Sequence, residues 1–351
     1  MPDPLLLYGA TGYTGRLIAR EALALGLRPV LAGRNAGTLA PLAEALDLEY
    51  RVAALGNAAQ LDAALAGMRA VLNAAGPFSH TAQPMVDACL RAGAHYLDVT
   101  AEILVIESMA QQDGAARRRG IMLMPGTGFD IVPSDCLGAH VTRRLPGAQH
   151  LAFGFTGLEL TTRGSAKTFA EHAGVGVNVR RGGVITPVTA GALRRTFDYG
   201  NGPRDSLNVS WGDVAAAYYT TGVANIEVYF EATPTLQAML MASRYGSWFL
   251  RTAPWQAWIH AHADLLPEGP SEAERSWRQM AVVAEATDRH GRTARARVRT
   301  PEAYTFTGRS AAVIAQRVLR GDCEVGFQTP ARVYGPDFVL GFADVVREDL
   351  E

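Results

Sequence analysis

The feature that most constrains the fold is a glycine-rich loop near the N-terminus. The apolar run 5–8 predicts a buried parallel strand, and glycines in a G-x-x-G-x-x-G spacing join it to a helical pattern over 16–26. Gly9 permits a tight turn, Gly12 lets backbone approach a pyrophosphate, and Gly15 allows close packing of helix on strand. An ordinary tight strand–helix turn is the alternative interpretation. The residues expected to hold phosphates at the helix N-terminus are Gly9, Thr11, Gly12, Tyr13, Thr14 and Gly15.

The end of the second predicted strand, 28–33, indicates which dinucleotide is bound. Enzymes that use NAD usually place Asp or Glu there to accept hydrogen bonds from the ribose hydroxyls. Here Gly33 is followed by Arg34 and Asn35. Because a guanidinium suits a 2′-phosphate, the sequence favours NADP over NAD. The alternative is that Arg34 only caps the edge of the sheet.

A second ligand-lining loop is predicted where the fourth strand, 70–76, ends. Small residues at the carboxyl end of a strand leave space for a ligand, and a proline stops the strand. A plain strand exit is the competing interpretation. The residues expected near the nicotinamide half of the cofactor are Ala74, Ala75, Gly76, Pro77 and Phe78.

The order of the predicted elements indicates an α/β fold with two domains. Five strand–helix alternations precede a strand at 121–124, which is typical of a Rossmann-type doubly wound parallel sheet. The pattern then changes to strands joined by turn residues, which predicts a second, α+β domain with a mostly antiparallel sheet. We expect an NADP-binding Rossmann domain over 1–129, an α+β substrate or dimerisation domain over 130–300, and a C-terminal segment 301–351. Its amphipathic helix 310–320 is expected to return to the first domain. Further predicted elements are the strands 50–55, 94–99, 151–160, 225–231, 280–288 and 293–299 and the helix 83–92.

Composition excludes several classes of function. A formal net charge of −1 provides no overall positive potential that would attract nucleic acid or a membrane surface. Three cysteines without C-x-x-C spacing indicate neither a disulfide framework nor a metal site, so a reducing cytoplasm is expected. No signal peptide is expected, because a strand begins almost at once. The most apolar later segment, 236–260, contains arginines and a proline and is therefore not predicted to span a membrane.

Several motifs together resemble a known family. They occur in the order 9–15, 32–34, 73–78, 93–102 and 128–135, with further similarity at 163–165, 221–229 and 328–330. This ordered set is similar to the saccharopine-dehydrogenase-like oxidoreductases, including the trans-acting enoyl reductase branch. The resemblance implies an N-terminal NADP-binding Rossmann domain, a mixed sheet in the second domain and a cleft between them. It implies no single substrate, since the family spans amino-acid condensation and lipid-chain reduction.

A nicotinamide enzyme must often supply a proton to its substrate. The Tyr-x-x-x-Lys pair of short-chain dehydrogenases is absent, because Arg163 stands four residues before Lys167, the only lysine. The catalytic candidates are His80, Lys167 and Tyr96. His80 follows the predicted nicotinamide loop and is the best placed of them, although a loop histidine in solvent is the alternative.

Further residues are candidates for the substrate side. Arg163, Ser165 and Lys167 resemble a helix entrance that suits a carboxylate or phosphate, with a solvated helix end as the alternative. His172 is a further proton donor candidate. Asp130 is expected to tie the crossing between domains together by hydrogen bonds rather than to act in catalysis.

The apolar segment 236–259 carries methionines and aromatic residues that suit a wall or lid for an apolar substrate. A homodimer interface or ordinary core are the alternatives. The sequence thus predicts an NADP-dependent oxidoreductase that reduces a small or lipid-like enoyl or keto substrate. The alternatives are an amino-acid reductase of the saccharopine type and a non-catalytic NADP-sensing protein. No nucleic-acid partner is expected.

Overall fold

The computed structural model describes residues 4–157, 176–250 and 268–351, with a few single positions between these ranges. The chain divides into two compact units. The first contains the described residues up to Val132 and, again, Tyr304–Val333. The second contains the described residues from Pro133 to Ala303, together with Tyr334–Glu351. The predicted C-terminal segment is therefore shared between the two units.

The first unit is built on a seven-stranded sheet in which every pair is parallel. The strands are β1 Leu5–Tyr8, β2 Val30–Gly33, β3 Tyr50–Val52, β4 Ala70–Asn73, β5 His95–Asp98, β6 Met122–Met124 and β15 Gly326–Phe327. Their order in the sheet, β15-β6-β5-β4-β1-β2-β3, reverses between β1 and β4, which confirms the predicted doubly wound sheet. The central strands β1, β2 and β4 are buried throughout, as expected for strands covered on both faces. The helices are α1 Tyr13–Ala24, α2 Ala36–Leu46, α3 Ala58–Leu65, α4 Phe78–Ala92, α5 Ile103–Gln111, α6 Asp113–Arg119, α11 Ala303–Leu319 and α12 Pro330–Tyr334.

Helix α11 packs on the segment that follows β6. The Thr307 hydroxyl oxygen accepts a hydrogen bond from the backbone N–H of Phe129 at 3.0 Å. The Ser310 hydroxyl donates to the carbonyl oxygen of Thr127 at 2.7 Å. The rings of Phe129 and Phe306 meet edge to face, with their centroids 6.3 Å apart. These buried contacts make α11 an integral part of the first unit.

The second unit contains a nine-stranded mixed sheet. The strands are β7 Ala148–Thr156, β8 Val177–Arg181, β9 Val184–Val188, β10 Arg194–Asp198, β11 Pro203–Asn208, β12 Asn225–Glu231, β13 Gln279–Asp288, β14 Thr293–Pro301 and β16 Val346–Leu350. The main path of the sheet is β10-β11-β12-β7-β13-β14-β16, with β8 paired to β12 and β9 paired to β8. Among the described strands of this sheet, only β12 and β7 pair in parallel. This arrangement confirms the predicted second sheet. The helices are α7 Val132–Arg144, α8 Asp213–Thr221, α9 Pro234–Leu250 and α10 Glu272–Ser276, with a 3-10 turn at Phe338–Gly341.

Candidate functional site

The glycine loop between β1 and α1 is packed so closely that two of its glycines admit no side chain. Gly9 has φ of 79°, and a Cβ there would lie 2.7 Å from the backbone nitrogen of Ala75. A Cβ on Gly15 would overlap the carbonyl oxygen of Gly9 and lie 2.9 Å from Cα of Ala10. At Gly12, which is exposed, the nearest contact would be 3.3 Å. The loop therefore presents bare backbone to solvent at Gly12, while Gly9 and Gly15 serve the packing beneath it.

The N-terminus of α1 differs from those of α2 and α3. Among the described residues, no side chain caps α1, and its first turn contains no acidic residue. By contrast, the Asn35 side chain accepts a hydrogen bond from Gly37 at the start of α2, and Asn57 does the same at the start of α3. Because the first amides of a helix point at an anion and its dipole favours negative charge, an uncapped start at the carboxyl edge of a parallel sheet suits a phosphate.

A cation lies beside this loop. The Arg16 guanidinium donates a hydrogen bond to the carbonyl oxygen of Thr11 at 2.7 Å. Arg16 was not among the predicted site residues, although its place in the first turn of α1 was a signal. Thr11, Tyr13 and Thr14 are half-buried, and the Tyr13 ring meets the Tyr304 ring edge to face at 5.4 Å. The ring contact packs the start of α1 against α11.

The end of β2 carries the residues expected to select the coenzyme. Gly33 is buried, whereas Arg34 and Asn35 are exposed. Burial raises the pKa of the Tyr8 hydroxyl, and the nearby positive charge of Arg34 acts in the opposite direction. Because Asn35 is engaged in capping α2, Arg34 is the residue at this position that can meet an added phosphate group. Its role stays a prediction.

Loop 74–78 follows β4, on the other side of the point where the strand order reverses. Ala74 and Ala75 are half-buried, Gly76 is exposed, and the Gly76–Pro77 peptide bond is cis. Phe78 is not in the loop as predicted but begins α4, five residues before the helix start expected at 83. The loop is therefore shorter than the sequence indicated.

The start of α4 is fixed by a distant carboxylate. The buried Glu102 side chain accepts hydrogen bonds from the backbone N–H groups of Phe78 at 2.7 Å and Ser79 at 2.8 Å. The Thr100 hydroxyl oxygen accepts a hydrogen bond from the Glu102 backbone N–H at 3.1 Å, just before α5 begins. The Glu102 carboxylate, however, caps α4. The α4 terminus is thus already satisfied, which leaves α1 as the better anion site.

Of the catalytic candidates, His80 and Tyr96 are in described parts of the chain. His80 is exposed in the first turn of α4, at the same edge of the sheet as the glycine loop. Tyr96 is fully buried, and its hydroxyl donates to Asp98 at 2.8 Å. Burial raises the pKa of Tyr96 well above its usual value. A hydroxyl held in this way is poorly suited to give a proton to a substrate, and the catalytic role expected of Tyr96 stays a prediction.

Asp130 follows β6 at the same carboxyl edge of the first unit's sheet. Burial raises its pKa from 3.8 to about 7. A carboxyl group with such a pKa is partly protonated at neutral pH, which is the property required of a general acid. The candidates Arg163, Ser165, Lys167 and His172 lie outside the described residues.

Helix α9 exposes a row of large apolar side chains in the segment predicted to form a wall or lid. The exposed fraction reaches 76% at Trp248. Phe249 contacts Trp255, with ring centroids 4.9 Å apart. The wall, lid and homodimer interpretations all remain predictions. The other exposed members are Met239, Met241 and Tyr245.

A cavity of about 230 Å³ lies on the sheet of the second unit. Two ion pairs, Arg181 with Glu227 and Arg195 with Glu285, line it together with His150. None of the site residues predicted within the described ranges contributes to this cavity.

The described part of the chain contains no cluster of His, Cys, Asp and Glu side chains that could hold a metal ion. No helix within the described ranges is both long and apolar enough to cross a membrane.

Comparisons with known proteins agree with this geometry. Residues 5–124 match the model of the saccharopine dehydrogenase NADP binding domain. The trans-acting enoyl reductase of Mycobacterium leprae is 34% identical over 150 residues, which cover 40% of this chain and 36% of that protein. A saccharopine dehydrogenase-like oxidoreductase of Mus musculus is 29% identical over 162 residues, covering 40% and 38%. The matched region thus spans a little over a third of the length of these curated relatives.

A solved structure extends the fold comparison to the whole chain. The apo histidine-tagged saccharopine dehydrogenase (L-Glu forming) from Saccharomyces cerevisiae aligns with a TM-score of 0.64 over 99% of both chains, at 12% identity. Similarity at this level concerns the fold alone. Together with the match over residues 5–124, the glycine loop and the parallel sheet show that this region is similar to the saccharopine dehydrogenase NADP binding domain.

Proposed function

We propose that the protein is an NADP-dependent oxidoreductase that reduces an enoyl or keto group of a small or lipid-like substrate. The observation that carries the proposal is the uncapped start of α1 behind a loop of bare backbone at Gly12. Both lie where the strand order reverses, which is where dinucleotides bind in doubly wound sheets. The family match over residues 5–124 supports the same coenzyme.

The residues present fit NADP. The amides at the start of α1 and the Arg16 guanidinium would hold the pyrophosphate, and a Cβ at Gly12 would intrude on it. Arg34, exposed at the end of β2, would pair with the 2′-phosphate. When bound, NADPH supplies a hydride. The chain must then orient the acceptor and deliver a proton.

His80 and Asp130 are the proton donors proposed from the described residues. Both follow strands at the carboxyl edge of the first unit's sheet. For an enoyl substrate the donor protonates the carbon next to the activating carbonyl, and for a keto substrate it protonates the oxygen. Asp130 has the advantage of a pKa raised to about 7, while His80 has the advantage of exposure.

The name trans-acting enoyl reductase, carried by relatives that match 37–40% of this chain, favours a carbon–carbon double bond as the group reduced. The exposed apolar side chains of α9 suit an acyl chain. The amino-acid reductase and the NADP-sensing protein are the alternatives that the experiment separates.

The test is to titrate the protein with NADPH and NADH and then to measure coenzyme oxidation with a panel of substrates. The panel contains enoyl thioesters, keto thioesters, and a 2-oxo acid mixed with an amino acid. Turnover of an enoyl or keto compound supports the proposal, and turnover of the mixture supports the amino-acid reductase. Tight NADPH binding without any turnover favours the sensor, and binding of neither coenzyme overturns the proposal.

Two variants assign the proton donor. If His80 is the donor, His80→Gln lowers kcat at least about tenfold and leaves the Kd for NADPH unchanged. If Asp130 is the donor, Asp130→Asn does so instead and removes a limb of the pH–rate profile near pH 7. A kcat unchanged in both variants would exclude both residues.

A further inference from the structure

A chain of buried hydrogen bonds begins at Asp98, the last residue of β5. One carboxylate oxygen of Asp98 accepts from the amides of Thr100 and Gly126, both at 2.9 Å. The other accepts from the Tyr96 hydroxyl at 2.8 Å. Asp98 and Tyr96 are both fully buried. One carboxylate thus ties the ends of β5 and β6 together.

The chain continues to the end of β4. The Asn73 side-chain N–H donates to the Tyr96 hydroxyl at 3.3 Å, and the Asn73 side-chain oxygen accepts from the backbone N–H of Ala75 at 3.0 Å. The Thr81 hydroxyl donates to the carbonyl oxygen of Ala75. Side chains therefore fix both backbone polar groups of Ala75.

Ala75 is the residue on which the glycine loop rests. Its backbone nitrogen lies 2.7 Å from the position of a Cβ on Gly9, and the Ala74 carbonyl carbon lies 2.9 Å from the same point. Since Gly9 and Ala75 follow β1 and β4, the strands on either side of the reversal in strand order, a shift of Ala75 would alter the width of the proposed dinucleotide site. Because close-packed backbone transmits strain, a shift of Ala75 would also displace Gly9.

The charge of Asp98 is stabilised by hydrogen bonds. Within the described part of the chain no cation pairs with it; the titratable groups around the network are Tyr96, the Glu102 carboxylate and the Cys89 thiol near Tyr96. Burial raises the pKa of Asp98 from 3.8 to about 7, against the effect of its hydrogen bonds. Burying such a network costs free energy unless every polar group in it is hydrogen-bonded. When all of them are, the network specifies a unique geometry.

We propose that Asp98, Tyr96, Asn73 and Thr81 are positioning residues that hold Ala75 against Gly9 and thereby set the affinity for NADPH. This inference rests on the proposed function, because it takes NADPH as the ligand. None of the four acts on the substrate. They act through the backbone of Ala75, and the ionised form of Asp98 is the one that accepts all three of its hydrogen bonds.

A matched pair of variants at Thr81 tests the last link. Thr81→Val keeps the shape of the side chain and removes the hydroxyl, so the Kd for NADPH is expected to rise about fivefold. Thr81→Ser keeps the hydroxyl and should restore the wild-type Kd. Tyr199→Phe is the control, since it removes a buried hydroxyl bonded to Ser206 in the second unit and should leave the Kd unchanged.

The pH dependence of binding tests the first link. Asp98→Asn replaces the ionised carboxylate with a neutral group of similar shape. The ratio of its Kd to that of the wild type cancels the titration of the coenzyme itself. The ratio is expected to be about fivefold at about pH 8. It should approach one at about pH 5.5, where Asp98 of the wild type is protonated and therefore as neutral as the Asn of the variant.

The outcomes are distinguishable. If wild-type protein binds no NADPH, the proposed function fails. If it binds NADPH but Thr81→Val binds equally well, or Thr81→Ser is as weak as Thr81→Val, the positioning role is wrong. A Kd ratio for Asp98→Asn that is constant with pH would mean structural damage only and would also overturn the role of the ionised carboxylate. Should Asp98→Asn fail to fold, the Thr81 pair decides.

Discussion

Alanine substitutions at Gly15 and Gly12 should separate the fold of the first unit from its binding of NADPH. A Cβ on Gly15 would overlap the carbonyl oxygen of Gly9 and crowd Cα of Ala10. Both are backbone atoms at the end of a buried strand, so neither can move aside. Overpacking of this kind costs about 1–3 kcal/mol, while the gain in helix propensity from Gly to Ala returns at most about 1 kcal/mol. Because the clash is with fixed backbone atoms well under contact distance, the overpacking cost lies at the upper end of that range, and the net expected loss of stability is about 2 kcal/mol.

Gly12→Ala should instead keep the stability of the wild type and weaken the binding of NADPH. The backbone at Gly12 has φ of −68° and ψ of 163°, which any residue adopts. A Cβ would lie 3.3 Å from the carbonyl oxygen of Gly9, so the free energy of unfolding should change by less than about 1 kcal/mol. The added methyl group would nevertheless stand where a pyrophosphate approaches. The Kd for NADPH is expected to rise at least about tenfold, or about 1.4 kcal/mol.

Urea unfolding and calorimetric titration with NADPH measure the two quantities in each variant. Gly114→Ala in α6 is the control, because a Cβ there would meet nothing nearer than a guanidinium nitrogen of Arg118 at 3.5 Å. It should leave the affinity close to wild type and change stability only by the gain in helix propensity, at most about 1 kcal/mol. Wild-type affinity in Gly12→Ala would refute the placement of the pyrophosphate, and wild-type stability in Gly15→Ala would refute the packing argument.

The remaining predictions concern single contacts. Arg34→Glu should weaken NADPH binding at least about tenfold and leave NADH binding nearly unchanged in the same titration; equal effects on both coenzymes would contradict the 2′-phosphate contact. Because the pKa of Asp98 is raised from 3.8 to about 7, the folded state binds an extra proton in that window and stability falls as pH rises through it. Urea unfolding of Asp98→Asn should show a shallower fall, and an identical slope would count against the shift. Glu102→Gln keeps one acceptor for two amides at the start of α4 and should cost about 1–2 kcal/mol, measured as a lower Tm; an unchanged Tm would mean that this cap contributes little.

Local patterns were sufficient to predict the type of both sheets, although β8–β11, β15 and β16 were not among the predicted strands. The strand, glycine loop and helix at 5–26 could be predicted because the apolar run and the glycine spacing are signals within a few residues of each other. The hairpin of β13 and β14 is likewise marked by alternating residues around a turn that contains Gly291, which has φ of 78°. The predicted strand 225–231 matches β12. In each case the information and the structure that it determines lie close together in the chain.

The start of α4 could not be predicted in the same way. Pro84 suggests a helix start near 83, because proline is favoured in the first turn, yet the helix begins at Phe78. Its first amides are satisfied by Glu102, which lies 24 residues beyond Phe78. No local pattern reports a partner at that separation.

Tyr96 illustrates a signal that was present but not used. Tyr96 and Asp98 are two residues apart on one strand, so their side chains share a face of the sheet. That spacing was enough to predict the buried hydrogen bond between them. The link onward to Asn73 depends on the pairing of β5 with β4, in which Asn73 stands opposite Asp98, and only the fold supplies it.

The chain path of the first unit has a consequence for its biosynthesis. A ribosome delivers the strands β1 to β6 early, but the edge strand β15 and helix α11, which covers Phe129, emerge only after most of the second unit has been made. Until then the nascent sheet carries an open edge at β6 and an uncovered aromatic side chain, both of which invite aggregation. A fragment limited to residues 5–124 would keep the glycine loop but would leave that edge permanently open, so the unit matures only after α11 and β15 have been translated.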